Sequence, residues 1–308
     1  MPVAWTLDEI PDQTGRTAVV TGASSGLGLV AAEHLAAHGA TVIMAVRDPA
    51  KGELARSGMS GNLEVRRLDL ADLDSVRAFA AQLRDEGHEI DLLLNNAGVG
   101  AVPHAHSAQG YERVFATNHL GHFALTGLLL DLFRTDRDPR VVTVSSAYYR
   151  LLRGGPDLDD LAGTPATSRI ERYIRSKQAN VLFGMELDRR LRHAGSPVRS
   201  FLAHPGMART SMPAQASGWA ERAVVNFQGL LVARSAVRGT VPLLYAATSP
   251  TAQTGVLLGS SLRKWDDRVH ARPIVAPGND SGLASRLWQV SEAATGVRYL
   301  SPYVELRS

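Results

Sequence analysis

The ten residues from Val19 to Gly28, VVTGASSGLG, constrain the fold more than any other stretch of the chain. Ala18–Val20 is a short apolar, β-branched run suited to a buried parallel strand. Thr21–Gly26 is a turn of small residues. From Leu27 the pattern becomes helical, with Leu27, Val30, Ala31 and Leu35 on one face. A strand that turns through glycines into a helix aims unpaired N–H groups and the positive end of the helix dipole at one spot. A pyrophosphate fits there. In that reading Gly22 permits the tight turn, Gly26 lets the backbone approach the phosphates, and Gly28 lets the helix pack on the sheet. Ser24, Ser25 and Leu27 complete the cradle. The spacing is Gly-x-x-x-Gly-x-Gly, not the common Gly-x-Gly-x-x-Gly, so the glycines alone also suit a turn with no ligand.

The rest of the chain repeats the strand–helix rhythm. A helix from Ser25 to His38 closes at Gly39, and Thr41–Val46 is a second strand ended by Arg47-Asp48-Pro49. Leu63–Leu68 is a third strand, Asp72–Asp85 a helix with Asp72 as cap, and Ile90–Leu94 a fourth strand running into Asn95-Asn96-Ala97-Gly98. Tyr111–Arg134 reads as one long helix, Val141–Val144 as a fifth strand, and 148–169 as a long loop. Ile170–His193 is a second long helix, and Val198–Ala203 a sixth strand ending at His204-Pro205-Gly206. Six such alternations predict a single-domain α/β fold, a doubly wound parallel sheet of the Rossmann type with helices on both faces. Residues 1–16 read as a lead-in and 260–308 as a C-terminal extension. Before that extension Ala236–Thr248 reads as a helix and Gly255–Leu258 as a last strand, and within it Gly282–Ala294 reads as one more helix.

Composition narrows the chemistry. With 308 residues and 44% apolar content the chain can bury a full core, and a net charge of +3 gives no case for nucleic acid. There is no cysteine, which removes disulfides, thiolate catalysis and cysteine–zinc sites and fits a reducing cytoplasm. The first residues lack the charged and apolar regions of a signal peptide, and no apolar run reaches the ~20 residues of a membrane helix. His104/His106 and His119/His122 are paired, but no His-Glu-x-x-His occurs, so no metal is expected. His119 and His122 read as packing or capping residues, while His104 and His106 could border a cleft.

In an open α/β sheet the ligand sits at the carboxyl ends of the strands. Small or polar residues stand there: Gly22–Gly28, Arg47, Asp69, Asn96–Gly98, Ser145-Ser146 and Pro205-Gly206. One further signal is Tyr173-Ile174-Arg175-Ser176-Lys177. Tyr and Lys at i and i+4 share a helix face, and an ammonium beside a phenol favours the phenolate, which would make a general acid/base.

Taken in order, TGASSGLG, NNAG, Ser146, Tyr173-x-x-x-Lys177 and His204-Pro205-Gly206 resemble the short-chain dehydrogenase/reductase family. Asn118-His119-Leu120-Gly121-His122-Phe123 and Ala45-Val46-Arg47-Asp48 resemble its retinol dehydrogenase, WW-domain oxidoreductase and protochlorophyllide reductase branch. The resemblance implies that Tyr173 passes the proton, that Lys177 lowers its pKa and binds the nicotinamide ribose, and that Ser146 polarises the substrate oxygen, with Ser145 the runner-up. It implies that Asn118 holds a water linking Lys177 to solvent, in a helix whose irregular backbone frees a carbonyl. Asp69 and Leu70 would meet the adenine, Asn96, Ala97 and Gly98 the adenosine side, Pro205 and Gly206 the nicotinamide, and Thr210 its carboxamide.

At the end of the second strand Val46 replaces the acid that would bind ribose hydroxyls, and Arg47 suits a phosphate, so NADP(H) is expected ahead of NAD(H). The implied reaction is carbonyl–alcohol interconversion on a small molecule. The segment 207–235, with Trp219, Phe227, Leu230, Leu231 and Val232, is expected to cover the substrate and favours a lipophilic one. A sensor that binds NADP(H) without chemistry and an NADPH-dependent double-bond reductase are the alternatives. Family members are often dimers or tetramers built on the helices near 111–134 and 170–193, so a homodimer or homotetramer is expected. With no apolar run of membrane-spanning length, no membrane partner is expected, although some relatives of that branch carry a membrane anchor.

Overall fold

The computed structural model describes residues 2–100, 102–206, 236–260 and 268–300. Thr210 and the substrate-covering segment 207–235 lie outside them. Eight strands form one sheet in the order β3-β2-β1-β4-β5-β6-β7-β8. They are β1 Thr17–Thr21, β2 Thr41–Val46, β3 Asn62–Arg67, β4 Leu92–Asn95, β5 Arg140–Val144, β6 Arg199–His204, β7 Val256–Ser260 and β8 Val269–Pro273. The first seven run parallel and β8 returns antiparallel beside β7.

Both faces of the sheet are covered, which is why its central strands are apolar without alternation. Ala18, Val20, Val42 and Met44 pack into one core with α1 (Gly26–Ala37) and α7 (Ala236–Thr248). Val19, Ile43, Ala45 and Leu93 point the other way. There they meet α3 (Leu73–Asp85), α5 (Gly121–Leu129) and α6 (Arg169–His193). The strand order reverses between β1 and β4, so a crevice opens at their carboxyl ends.

Four expectations are corrected. The stretch after Arg47 is not only a strand stop: Asp48 caps and Pro49 begins helix α2, Pro49–Arg56, because proline at the first helical position loses no hydrogen bond. The predicted helix 111–134 is not continuous. It consists of a single turn α4 (Arg113–Phe115), a π turn over Ala116–Leu120, α5, and a 3-10 turn at Leu130–Leu132. The 148–169 loop opens with a 3-10 turn at Ala147–Leu151. The C-terminal extension contributes a strand that was not expected, β8, besides the expected helix, α8 (Ser281–Thr295), which packs on α6. No helix among the described residues is long and apolar enough to cross a membrane.

Candidate active site

The crevice is a groove of about 780 Å³. Its floor is the β1–α1 turn. Gly22 (φ 69°) and Gly26 (φ 59°) take left-handed backbone conformations that other residues rarely adopt. A Cβ on Gly26 would meet nothing within 4 Å, whereas one on Gly28 would lie 2.5 Å from the Gly22 carbonyl. Gly26 is therefore open to a ligand, and Gly28 serves close packing below the groove. Ser25 caps α1 with its backbone only, so the first N–H groups of that helix have no side-chain acceptor. These features suit a dinucleotide pyrophosphate.

Around that floor the groove is lined by Ser24, Ser25, Leu27, Arg47, Asp69, Leu70, Asn96, Ala97, Gly98, Tyr173, Lys177 and Pro205 among others. Asn96 also braces the sheet: its amide N–H reaches Thr21 Oγ1 at 2.9 Å and its side chain donates to the Thr21 carbonyl at 2.8 Å. Gly98 sits against the catalytic candidates, a Cβ there lying 3.3 Å from Asn118 Oδ1 and 3.5 Å from Lys177 Nζ. Gly206 (φ 69°) turns the chain after β6, its N–H donating to His204 Nδ1 at 3.0 Å. Lys51 lines the groove too. It went unread in the sequence because α2 did, although it stands one helical turn after Arg47.

The two adjacent serines have different jobs. Ser145 is buried and its hydroxyl donates to the Lys177 carbonyl at 2.8 Å, fixing α6 to the end of β5. Ser146 is half-buried, caps the 3-10 turn through Tyr148 N–H, and its side chain acts to lower the pKa of the Tyr173 phenol. The Ser146–Tyr173–Lys177 grouping thus stands at the carboxyl end of β5, beside the groove.

Burial pushes the Tyr173 phenol up to about 12, against the opposing hydrogen bond from Ser146. Burial likewise pushes Lys177 down to about 8. Lys177 Nζ donates to the Val144 carbonyl at 3.1 Å and lies 5.8 Å from the Tyr173 ring centroid.

Asn118 lies in the π turn, fully buried. Its amide accepts from Val99 N–H at 2.8 Å and donates to the Val99 carbonyl at 3.0 Å and to Ser176 Oγ at 2.9 Å. Its main-chain carbonyl lies 3.0 Å from His122 Nδ1, which leaves its second lone pair open. His122 therefore does cap within its helix, whereas His119 reaches Ser291 Oγ on α8 at 2.8 Å. His106 borders the groove.

The loop between Ser146 and Tyr173 is pinned beside the site. Gln178 donates to the Tyr149 and Leu152 carbonyls, Arg175 to Gly155, and the Leu161 carbonyl accepts from Glu112 N–H. His104 Nε2 stands 3.1 Å from the Gly163 carbonyl.

A family model described as short chain dehydrogenase matches residues 16–155. Mouse retinol dehydrogenase 14 is 36% identical over 299 residues, covering 92% of this chain and 86% of that protein. Mouse polyprenol dehydrogenase is 38% identical over 296 residues, covering 93% and 86%. The crystal structure of an uncharacterised protein from Mycobacterium paratuberculosis matches with a TM-score of 0.81 at 41% identity, over 96% of this chain and 99% of that one.

Proposed function

The chain belongs to the short-chain dehydrogenase family, and from that premise we propose that it interconverts a carbonyl and an alcohol on a lipophilic small molecule with NADP(H), Tyr173 passing the proton. Membership makes it an NAD(P)-dependent oxidoreductase working between alcohol and carbonyl. The lipophilic substrate is suggested by relatives named for retinol and polyprenol.

The observation that carries the reading is that Tyr173 and Lys177 line a groove whose other end opens on the N-terminus of α1, which the Ser25 side chain leaves uncapped. The nicotinamide, when bound, supplies or takes the hydride. The protein's own residues do the rest. Ser146 holds the substrate oxygen by a hydrogen bond that strengthens as negative charge grows there. Tyr173 gives that oxygen its proton during reduction. A phenol near 12 is protonated throughout the neutral range, which suits it as an acid. Alcohol oxidation asks the same phenol to lose its proton, so reduction should be flat across neutrality while oxidation climbs with pH. Tyr173→Phe should lower kcat about 100- to 10,000-fold while nucleotide binding persists. Unchanged turnover in that variant overturns the reading.

Preference for NADP(H) rests on charge at the end of β2. Val46 is buried, and Arg47 and Lys51 both face the groove. The nearest acid, Asp48, has its carboxylate turned to the Lys51 N–H at 3.2 Å, capping α2. Two cations are thus left to meet a 2′-phosphate. Arg47→Ala should weaken NADPH binding about 10- to 100-fold and NADH far less. Equal losses refute the preference. Tight nucleotide binding with no turnover of any ketone, aldehyde or quinone would instead favour a sensor.

A further inference from the structure

We propose that His122 is a positioning residue. It ties the π turn carrying Asn118 to the Asn96–Ala97 turn of the groove through the hydroxyl of Thr21. The inference rests on the proposed reading for its link to activity, but the tie itself stands on geometry.

Thr21, Asn118 and His122 are all buried, so each polar atom there needs a partner inside the protein. His122 Nδ1 lies 3.0 Å from the Asn118 carbonyl, and a carbonyl can only accept. Nδ1 therefore carries the proton. Burial keeps the ring neutral, its pKa pushed down to about 4. Nε2 is then a bare acceptor, and it sits 3.0 Å from Thr21 Oγ1. The single hydroxyl proton of Thr21 goes to that nitrogen, in preference to the Leu94 carbonyl at 3.2 Å. The same oxygen accepts the N–H groups of Asn96 and Ala97, each at 2.9 Å. Both imidazole nitrogens and the whole valence of the hydroxyl are used.

The consequence is a closed loop of contacts around the Asn96–Val99 turn. Thr21 holds its beginning at Asn96 and Ala97. Asn118 holds its end, gripping both the N–H and the carbonyl of Val99. His122 is the link between those two clamps. Gly98, between them, lies under Asn118 Oδ1 and Lys177 Nζ. From Asn118 the contacts continue to Ser176 Oγ, which donates to the Tyr173 carbonyl at 2.7 Å. An apolar residue at 122 would take the ring N–H from the Asn118 carbonyl and leave the Thr21 proton to the Leu94 carbonyl, cutting the link between the two clamps of the turn that faces the nucleotide.

The test is a double-mutant cycle on the full chain, read by NADPH fluorescence titration and by urea unfolding without nucleotide. His122→Asn places an amide nitrogen where Nδ1 stands, keeps the Asn118 contact and cuts the one to Thr21. In the natural background it should weaken NADPH binding about tenfold and shift the unfolding midpoint down. In a Thr21→Val background, where that contact is already gone, it should change neither. In a Thr21→Ser background, which retains the hydroxyl, the loss should return. Should Thr21→Val not fold, Thr21→Ala replaces it in the cycle. Equal losses in both backgrounds, or none in either, overturn the tie. A natural chain that binds no NADPH would instead refute the functional reading, and the unfolding cycle would still decide the tie.

Discussion

Neighbouring residues of one type are separated here by what each touches. Ser145 and Ser146 are chemically the same, but Ser145 spends its hydroxyl on the Lys177 carbonyl inside the core while Ser146 meets the phenol. Ser146→Ala should cost kcat about 100- to 1,000-fold at little cost in stability, as loss of a transition-state donor does. Ser145→Ala should do the reverse, removing about 1 kcal/mol from unfolding measured in urea. The buried histidines set the acid limit. His119, His122 and His204 are pushed by burial to about 3, 4 and 3. Each folded-state pKa lies below the ordinary value of 6.5, so between there and about pH 4 the unfolded chain binds more protons. Stability is whole above that window and falls with pH through it, by up to about 1.4 kcal/mol per pH unit for each histidine. Urea unfolding at a series of pH values from neutrality downward checks this, and a flat profile would contradict burial of these rings in the neutral form.

At the level of elements, much of the sheet could be read from the chain because its strands are apolar on both faces and its helices carry clear caps. What escaped did so for identifiable reasons. Helix α2 has only Gly52 buried, so it carries no apolar stripe to betray it, and its opening proline reads as easily as a strand stop. Strand β8 lies at the sheet edge with Ala271 and Pro273 exposed, too irregular for a two-residue period. The break at Ala116–Leu120 left no mark in the hydrophobic pattern, since nearly every residue from Val114 to Thr126 is buried and there is no stripe whose phase one extra residue could shift. Among the site residues, the Tyr–Lys pair and the glycines were legible from spacing. The choice of serine, the engagement of the Asn118 carbonyl and the part of Lys51 needed three dimensions. One glycine in the broken helix shows how closely these elements are fitted: a Cβ on Gly121 would collide with the carbonyl of Leu70, a residue that lines the groove. Backbone cannot swing aside as a side chain can, so Gly121→Ala should shift the helix, cost about 1–3 kcal/mol, and weaken nucleotide binding. Calorimetry with and without NADPH would measure both, and a neutral variant would mean that the helix is free to slide.

Across the whole molecule, the chain's own C-terminal helix packs against the helices on which a homodimer or homotetramer was expected to be built. Helix α8 lies along α6 and touches α5, and its Trp288 stacks on Phe183, 6.0 Å between centroids, with Phe123 edge-on at 5.0 Å. Tyr299 closes the same cluster at 4.7 Å from Trp288. Arg190, on α6, lies 4.3 Å over the indole and is held by Glu186 at 2.7 Å, so even the charged residue of that face is turned inward. A partner docking on α5 and α6 would have to displace this aromatic cover and leave it exposed to water. Trp288→Ala should therefore cost about 3–5 kcal/mol of stability, the range for emptying a large buried aromatic site. It should also uncover apolar surface between α5 and α6, so sedimentation velocity should find more self-association in the variant than in the natural chain, which should show none that protects α6 from hydrogen exchange. If the natural chain instead forms a dimer in which dilution unmasks α6 amides, the cover opens in solution and the C-terminal helix is a displaceable cap.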